Sequence, residues 1–177
     1  LARSIVGQQI SVKAAQSVWE RFEALSRRMT PAQVLKLKVD DMRAAGLSAR
    51  KVEYLVDLAL HFVNDQVHVK QWAEMDDEAI IGELVAIRGI GRWTAEMFLI
   101  FHLMRPNVLP LDDIGLQNGI SRAYFSGEPV SRSEIREVGG SWAPSCSVAT
   151  WSFWRSVEPV AVRYCRRSAG RRRPGSG

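Results

Sequence analysis

The sequence predicts an all-α fold of about eight helices. Apolar residues recur at helical spacing through the body of the chain, and capping residues stand at the start of most of those segments. No Asn-Gly or Asp-Gly hairpin turn separates two alternating runs, and no repeat of fixed period occurs. The 177 residues suffice for one ordinary domain or two small lobes with a real core.

The elements follow in order. Two glutamines at Val6-Gly7-Gln8-Gln9-Ile10-Ser11 interrupt an opening apolar helix. Ser11 is placed to cap a helix over 12–22, with Val12, Ala15, Val18, Trp19 and Phe22 on one face. Thr30-Pro31-Ala32-Gln33 combines a cap, a proline at the first helical position and a capping-box glutamine. A short helix over 40–45 is stopped by Gly46. Ser48 caps a longer one carrying Val52, Leu55, Ala59, Phe62 and Val63. Asp76 caps the next, with Ile80, Ile81, Leu84 and Ile87 facing inward. A strongly apolar helix spans 92–104 and Pro106 closes it. Another helix follows Asp112-Asp113, and Ser131-Arg132-Ser133-Glu134 is a further capping box. The last helix covers roughly 148–156 and ends before Pro159.

Composition excludes several classes. Apolar residues make up 46% and charged residues 24%, a globular balance. The longest apolar run, Met97 to Phe101, is far short of the roughly 18 residues a membrane helix needs. Two cysteines, Cys146 and Cys165, cannot supply a four-cysteine zinc site or iron–sulfur cluster, nor a disulfide scaffold. Six of the 24 basic residues are arginines from Arg163 onward, so residues 1–162 hold 18 basic residues against 19 acidic ones. The net charge of +5 therefore belongs to the tail, and the body offers no uniform phosphate-binding surface. The stretch from 165 to 177 is rich in Arg, Gly and Ser and reads as a flexible tail. The chain opens at Leu1 inside an apolar-periodic segment, which reads as a fragment.

Four stretches carry chemistry. Leu84 to Ala95 joins two helices through Gly89-Ile90-Gly91. Such a turn permits positive φ and close backbone approach, and it presents unpaired N–H groups at a helix start. Amides and helix dipole together can bind a phosphate without net positive charge; the plain alternative is a tight helix–helix turn, with Ile90 plugged into the core. Val108-Leu109-Pro110-Leu111-Asp112-Asp113-Ile114-Gly115 puts two acids behind a proline-fixed apolar connector. One could simply be an N-cap; the other reading is a carboxylate kept charged by a helix start beside an apolar pocket. Trp142, Trp151, Phe153 and Trp154 could sandwich a planar base or pack as core. Gln8 and Gln9 could fill a gap in a base stack or form a plain turn.

Their order and spacing together resemble the helix-hairpin-helix superfamily of DNA base-excision glycosylases, in particular its 3-methyladenine DNA glycosylase II branch. The resemblance runs from Leu1 to about Tyr164, and the domain is accordingly set at 1–164, N-terminally truncated. It rests on Ile5 to Ser11, on Ala45-Gly46-Leu47-Ser48 with Lys51 and Tyr54-Leu55, and on Ile87 to Met97. Leu109 to Leu116 and Ser147 to Trp151, with Trp154-Arg155, complete it.

The resemblance implies a two-lobed all-α fold with a DNA-binding cleft between the lobes. It implies Asp113 as the catalytic aspartate, about twenty residues beyond Trp93, with Asp112 solvated or capping. It implies a pocket of Trp93, Met97, Ile114 and Trp154 for a flipped, electron-poor base, which aromatic faces favour. Gln9 would enter the gap left by that base, while Gly89, Gly91 and the amides around Arg92 and Thr94 would hold a backbone phosphate.

The implied reaction is hydrolysis of the N-glycosidic bond of alkylated purines in duplex DNA, without a cofactor and by a monomer. The family hairpin can also bind a monovalent cation through carbonyls. Bifunctional members use a lysine where this chain has Trp93, and no lysine follows Lys70, so a monofunctional enzyme is expected. In a bacterium its place would be the cytoplasm, on the nucleoid. Pro144-Ser145-Cys146 departs from the family pattern, where an arginine usually follows, and the Arg-rich tail has no counterpart in it. These departures leave open an inactive or fragmentary DNA-binding module, and more remotely a helical protein-interaction domain.

Overall fold

The computed structural model describes residues 1–157 and contains ten helices and no strand among them. These are α1 (Ala2–Gly7), α2 (Val12–Glu23), α3 (Pro31–Val34), α4 (Val39–Ala44), α5 (Ala49–Val63), α6 (Asp77–Val85), α7 (Arg92–Phe101), α8 (Ile114–Tyr124), α9 (Arg132–Gly140) and α10 (Cys146–Val157). The count exceeds eight because α1, α3 and α4 are helices of only four to six residues.

The N-caps expected from the sequence are realised, while the capping box expected of Gln33 does not close at α3. Ser11, Thr30, Ser48 and Asp76 each accept an amide from the third residue of the helix they open. Ser131 and Glu134 form a reciprocal capping box at α9. Two helix boundaries differ from expectation by more than one residue. α7 ends at Phe101 rather than at 104, because Met104 takes a left-handed φ of 55° and the Arg105 amide turns back to the Leu99 carbonyl at 2.9 Å. α10 begins at Cys146 rather than at 148, where Ser147 fastens it to the preceding connector. The Ser147 hydroxyl accepts the Val108 amide at 3.0 Å and donates to the Arg105 carbonyl at 2.6 Å. Pro159, the 164 boundary and the tail lie outside the described residues.

Two cores give two lobes. The larger one runs through α1 to α7 and includes Ile5, Phe22, Met42, Leu55, Ile80, Leu84 and Leu99, each with almost no exposure. Burial of each such side chain contributes about 1.5–3 kcal/mol before entropy. The smaller core is Leu116 and Ile120 of α8 with Ile135 of α9, wrapped by Leu109, Trp142 and Phe153. Helix α10 serves both: Phe153 packs in the small core, and its neighbour Trp154 packs against the large one. Small residues let α10 close on α8. A Cβ on Gly119 would lie 2.8 Å from the Phe153 ring.

Candidate active site and DNA-binding hairpin

The turn between α6 and α7 is built on one positive φ, not two. Gly89 has φ +86°, and a Cβ there would lie 2.2 Å from the Tyr54 ring, so no larger residue fits. Gly91 has φ −86° with open space around its Cβ position. What matters at Gly91 is what it lacks. It is the N-cap of α7 and carries no capping side chain, so the first amides of α7, at Arg92, Trp93 and Thr94, are not taken up as they are in α2, α5 or α6. Ile90 is buried and anchors the turn.

The Arg92 side chain is already engaged. Its guanidinium donates to Glu78 on α6 and, through Nε, to Glu96 at 3.0 Å. Glu96 is buried, and burial raises its pKa, partly offset by Arg92. What Arg92 offers a ligand at the helix start is its amide.

The Gln8–Gln9 corner is tied to the same turn. Gln8 Nε2 donates to the Gly89 carbonyl at 2.8 Å, and Lys51 Nζ donates to the Val6 carbonyl at 2.7 Å. Gln9 is exposed and left-handed, at φ 59°. The chain thus presents Gln9 beside the hairpin, whereas Gln8 is the residue that fixes it there.

Asp113, not Asp112, caps α8, and it is only 6% exposed. Its Oδ1 accepts the Leu116 amide at 2.7 Å and the Trp154 indole N–H at 2.5 Å. Its Oδ2 accepts the Trp93 indole N–H at 2.8 Å. Three N–H donors from α7, α8 and α10 therefore meet one carboxylate where the lobes join. That setting solvates an anion without water. Asp112 points outward and pairs with Arg132 at the start of α9.

Of the expected pocket residues, Trp93 and Trp154 reach Asp113 through their indoles and Ile114 follows it in the chain, while Met97 packs against the large core. Trp93 is half exposed, Ile114 is 71% exposed and Met97 is half-buried. Phe101 joins them, stacked on Trp154 with centroids 5.6 Å apart and planes 20° apart. Phe101 is absent from the sequence reading, although the spacing 93, 97, 101 marks one face of α7. Of the remaining aromatics, Trp142 and Phe153 serve the small core, and Trp151 is exposed with Arg155 over its ring. Cys146 is buried, and its thiol donates to the Gly139 carbonyl at 3.6 Å. A separate cavity of about 400 Å³ in the large lobe, lined by Trp19, Met29, Phe62, Trp72 and Phe98, contains none of the site residues. Among the described residues no cluster of His, Cys, Asp and Glu could hold a metal ion, and no helix is long and apolar enough to cross a membrane.

An all-helical two-lobed chain with a glycine hairpin and an indole-held aspartate at the joint is the architecture of a base-excision protein, and the comparisons agree. The profile described as HhH-GPD superfamily base excision DNA repair protein matches residues 2–144. DNA-3-methyladenine glycosylase 1 of Schizosaccharomyces pombe is 33% identical over 160 residues, covering 88% of this chain and 70% of its own. The crystal structure of a DNA-3-methyladenine glycosidase from Bacillus halodurans superposes with TM-score 0.83 at 35% identity, over 92% of this chain and 76% of that one. The Schizosaccharomyces pombe enzyme in complex with abasic DNA superposes with TM-score 0.74 at 31% identity, over 88% and 77%. The chain belongs to the HhH-GPD superfamily, and within it to the 3-methyladenine DNA glycosylase branch.

Proposed function

We propose that this protein is a monofunctional DNA glycosylase that hydrolyses the N-glycosidic bond of alkylated purines in duplex DNA. The observation that carries the reading is Asp113: a buried carboxylate held by three N–H donors, two of them the indoles of Trp93 and Trp154.

On this reading the first amides of α7 hold one backbone phosphate, and Gln9 fills the gap left by the extruded nucleotide. The damaged base stacks among Trp93, Met97, Ile114 and Trp154, with Phe101 backing Trp154. Alkylation makes the base electron-poor, so aromatic faces attract it and it leaves readily. As the bond to the base lengthens, positive charge grows on the sugar, and Asp113 stabilises it. A carboxylate offers about four lone-pair positions, and three are filled here, two on Oδ1 and one on Oδ2. The remaining position on Oδ2 can orient the attacking water and receive its proton.

No protein amine takes part. Trp93 occupies the position that a lyase gives to lysine, its indole nitrogen is not a nucleophile, and the Lys51 amine is committed to Val6. No step requires a cofactor. A monovalent cation on the hairpin would sit on carbonyls such as those of Ile87 and Gly89, each of which already accepts one hydrogen bond and keeps a second lone pair.

The test is direct. Protein incubated with methylated duplex DNA is expected to release free methylpurine, seen by chromatography. The strand should stay full length until hot alkali is added, and borohydride should trap no covalent complex. A trapped complex, or nicking without alkali, contradicts the monofunctional reading; no released base contradicts the enzyme.

A further inference from the structure

Gly115 is the second residue of α8, and its φ is not the left-handed kind that requires glycine. The reason for a glycine lies outside its own backbone. A Cβ there would lie 2.7 Å from Cδ1 of Trp154, 3.1 Å from Nε1 of the same indole and 3.2 Å from Oδ1 of Asp113. The added methyl would press on both ends of one hydrogen bond, the 2.5 Å contact from Trp154 Nε1 to Asp113 Oδ1.

The neighbours leave little room for escape. Asp113 is pinned at Oδ1 by the Leu116 amide and at Oδ2 by Trp93. Trp154 is backed by Phe101, which stacks on its ring. The Trp154 indole is the freest of these groups, so it would swing away from the carboxylate. The Leu116 and Trp93 donors would remain in place.

From this geometry we infer that Gly115 is a positioning residue for base excision: its missing side chain lets Trp154 reach Asp113, which fixes the carboxylate and the stacking indole relative to each other. The inference rests on the glycosylase reading above. Gly115 touches no substrate and acts through Trp154. Losing a hydrogen bond that positions the charged carboxylate predicts a loss of about 10- to 100-fold in rate.

The test is a double-mutant cycle of Gly115→Ala and Trp154→Phe, read by single-turnover base release at saturating protein. Phenylalanine carries no N–H, so in its background the glycine has no hydrogen bond to protect. Gly115→Ala is expected to slow release by about 10- to 100-fold in the wild-type background and by less than about twofold in the Trp154→Phe background. Equal losses in both backgrounds would mean a merely structural glycine and overturn the proposal.

A second readout does not depend on activity. In nitrogen–proton correlation spectra, the Trp154 indole N–H should be shifted downfield by its short bond to a carboxylate and protected from exchange with water. Gly115→Ala should remove both properties while leaving those of Trp93. An unchanged Trp154 signal would also overturn the proposal. If Gly115→Ala does not fold alone, the spectrum of wild-type protein against Asp113→Asn decides whether the protected bond exists, and its absence overturns the proposal. Wild-type protein that releases no base is a different failure, that of the glycosylase reading itself.

Discussion

The starts of α7 and α8 lie at the same site, and they use the same physics in opposite ways. Each helix start exposes amides and the positive end of a dipole. At α7 the cap is Gly91, which has no side chain for those amides, and on the reading proposed above they take a phosphate of the ligand. At α8 the cap is Asp113, so the helix start holds an anion of its own. The first arrangement suits holding a phosphate, and the second suits facing a cation that forms during reaction. The difference teaches how a body with net charge −1 over residues 1–162 can act on a polyanion: local geometry at one helix start replaces global charge.

The comparison makes predictions that can break it. The largest effect belongs to Asp113→Asn. Base release should fall by at least about 10²- to 10³-fold, as for loss of a preorganised electrostatic group, while binding to an abasic-site duplex persists. Asp112→Asn, which loses only the solvent-facing pair with Arg132, should stay within a few-fold of wild type. A reversal of this order would place the catalytic role on the wrong acid.

Gly89→Ala comes next. It must adopt φ +86° and place a methyl against Tyr54, so stability should drop by about 2–4 kcal/mol in denaturant melts. Gly91→Ala sharpens the contrast, because among the described residues beyond its own surroundings in the chain none lies within 4 Å of its new methyl. The protein should fold with stability changed by less than about 1 kcal/mol. Its affinity for DNA should weaken for all sequences alike, since phosphate contacts position rather than specify. A loss confined to one sequence or lesion would contradict the phosphate assignment.

The smallest effect is pH-dependent. Burial raises the Glu96 pKa, and Arg92 pulls it back. The folded state therefore holds the Glu96 proton to higher pH than the unfolded chain does. Ionised Glu96 costs stability as pH rises above the ordinary glutamate range. Arg92→Gln should raise the Glu96 pKa further. It should destabilise by about 1 kcal/mol at pH 7, a figure reduced because Arg92 is half exposed, and less near pH 4, where Glu96 is protonated and only the exposed pair with Glu78 is lost. Chemical melts at the two pH values check the sign.

Much of this was legible in the sequence, and the rest was not for identifiable reasons. Ser11, Thr30, Ser48, Asp76 and Ser131 announced their helices because capping is a local interaction. The resemblance to a known family singles out Asp113, with Trp93 and Trp154 as pocket residues, yet nothing local in the sequence shows that both indoles donate to it. Phe101 was legible in principle from the 93, 97, 101 spacing. Gln8 and Gly115 were not, because their roles depend on partners 81 and 39 residues away, Gly89 and Trp154. The end of α7 was misplaced because the left-handed residue after it is Met104 rather than a glycine, which removes the usual stop signal.

The division of labour between the two helix starts is tested most directly by Asp113→Asn and Gly91→Ala side by side. Each is measured for its dissociation constant on abasic-site duplex and for its single-turnover rate of base release at saturating protein. The account predicts a crossed result: Asp113→Asn loses rate and keeps affinity, and Gly91→Ala loses affinity and keeps the saturated rate. Variants that lose rate and affinity together, in the same proportion, would contradict it.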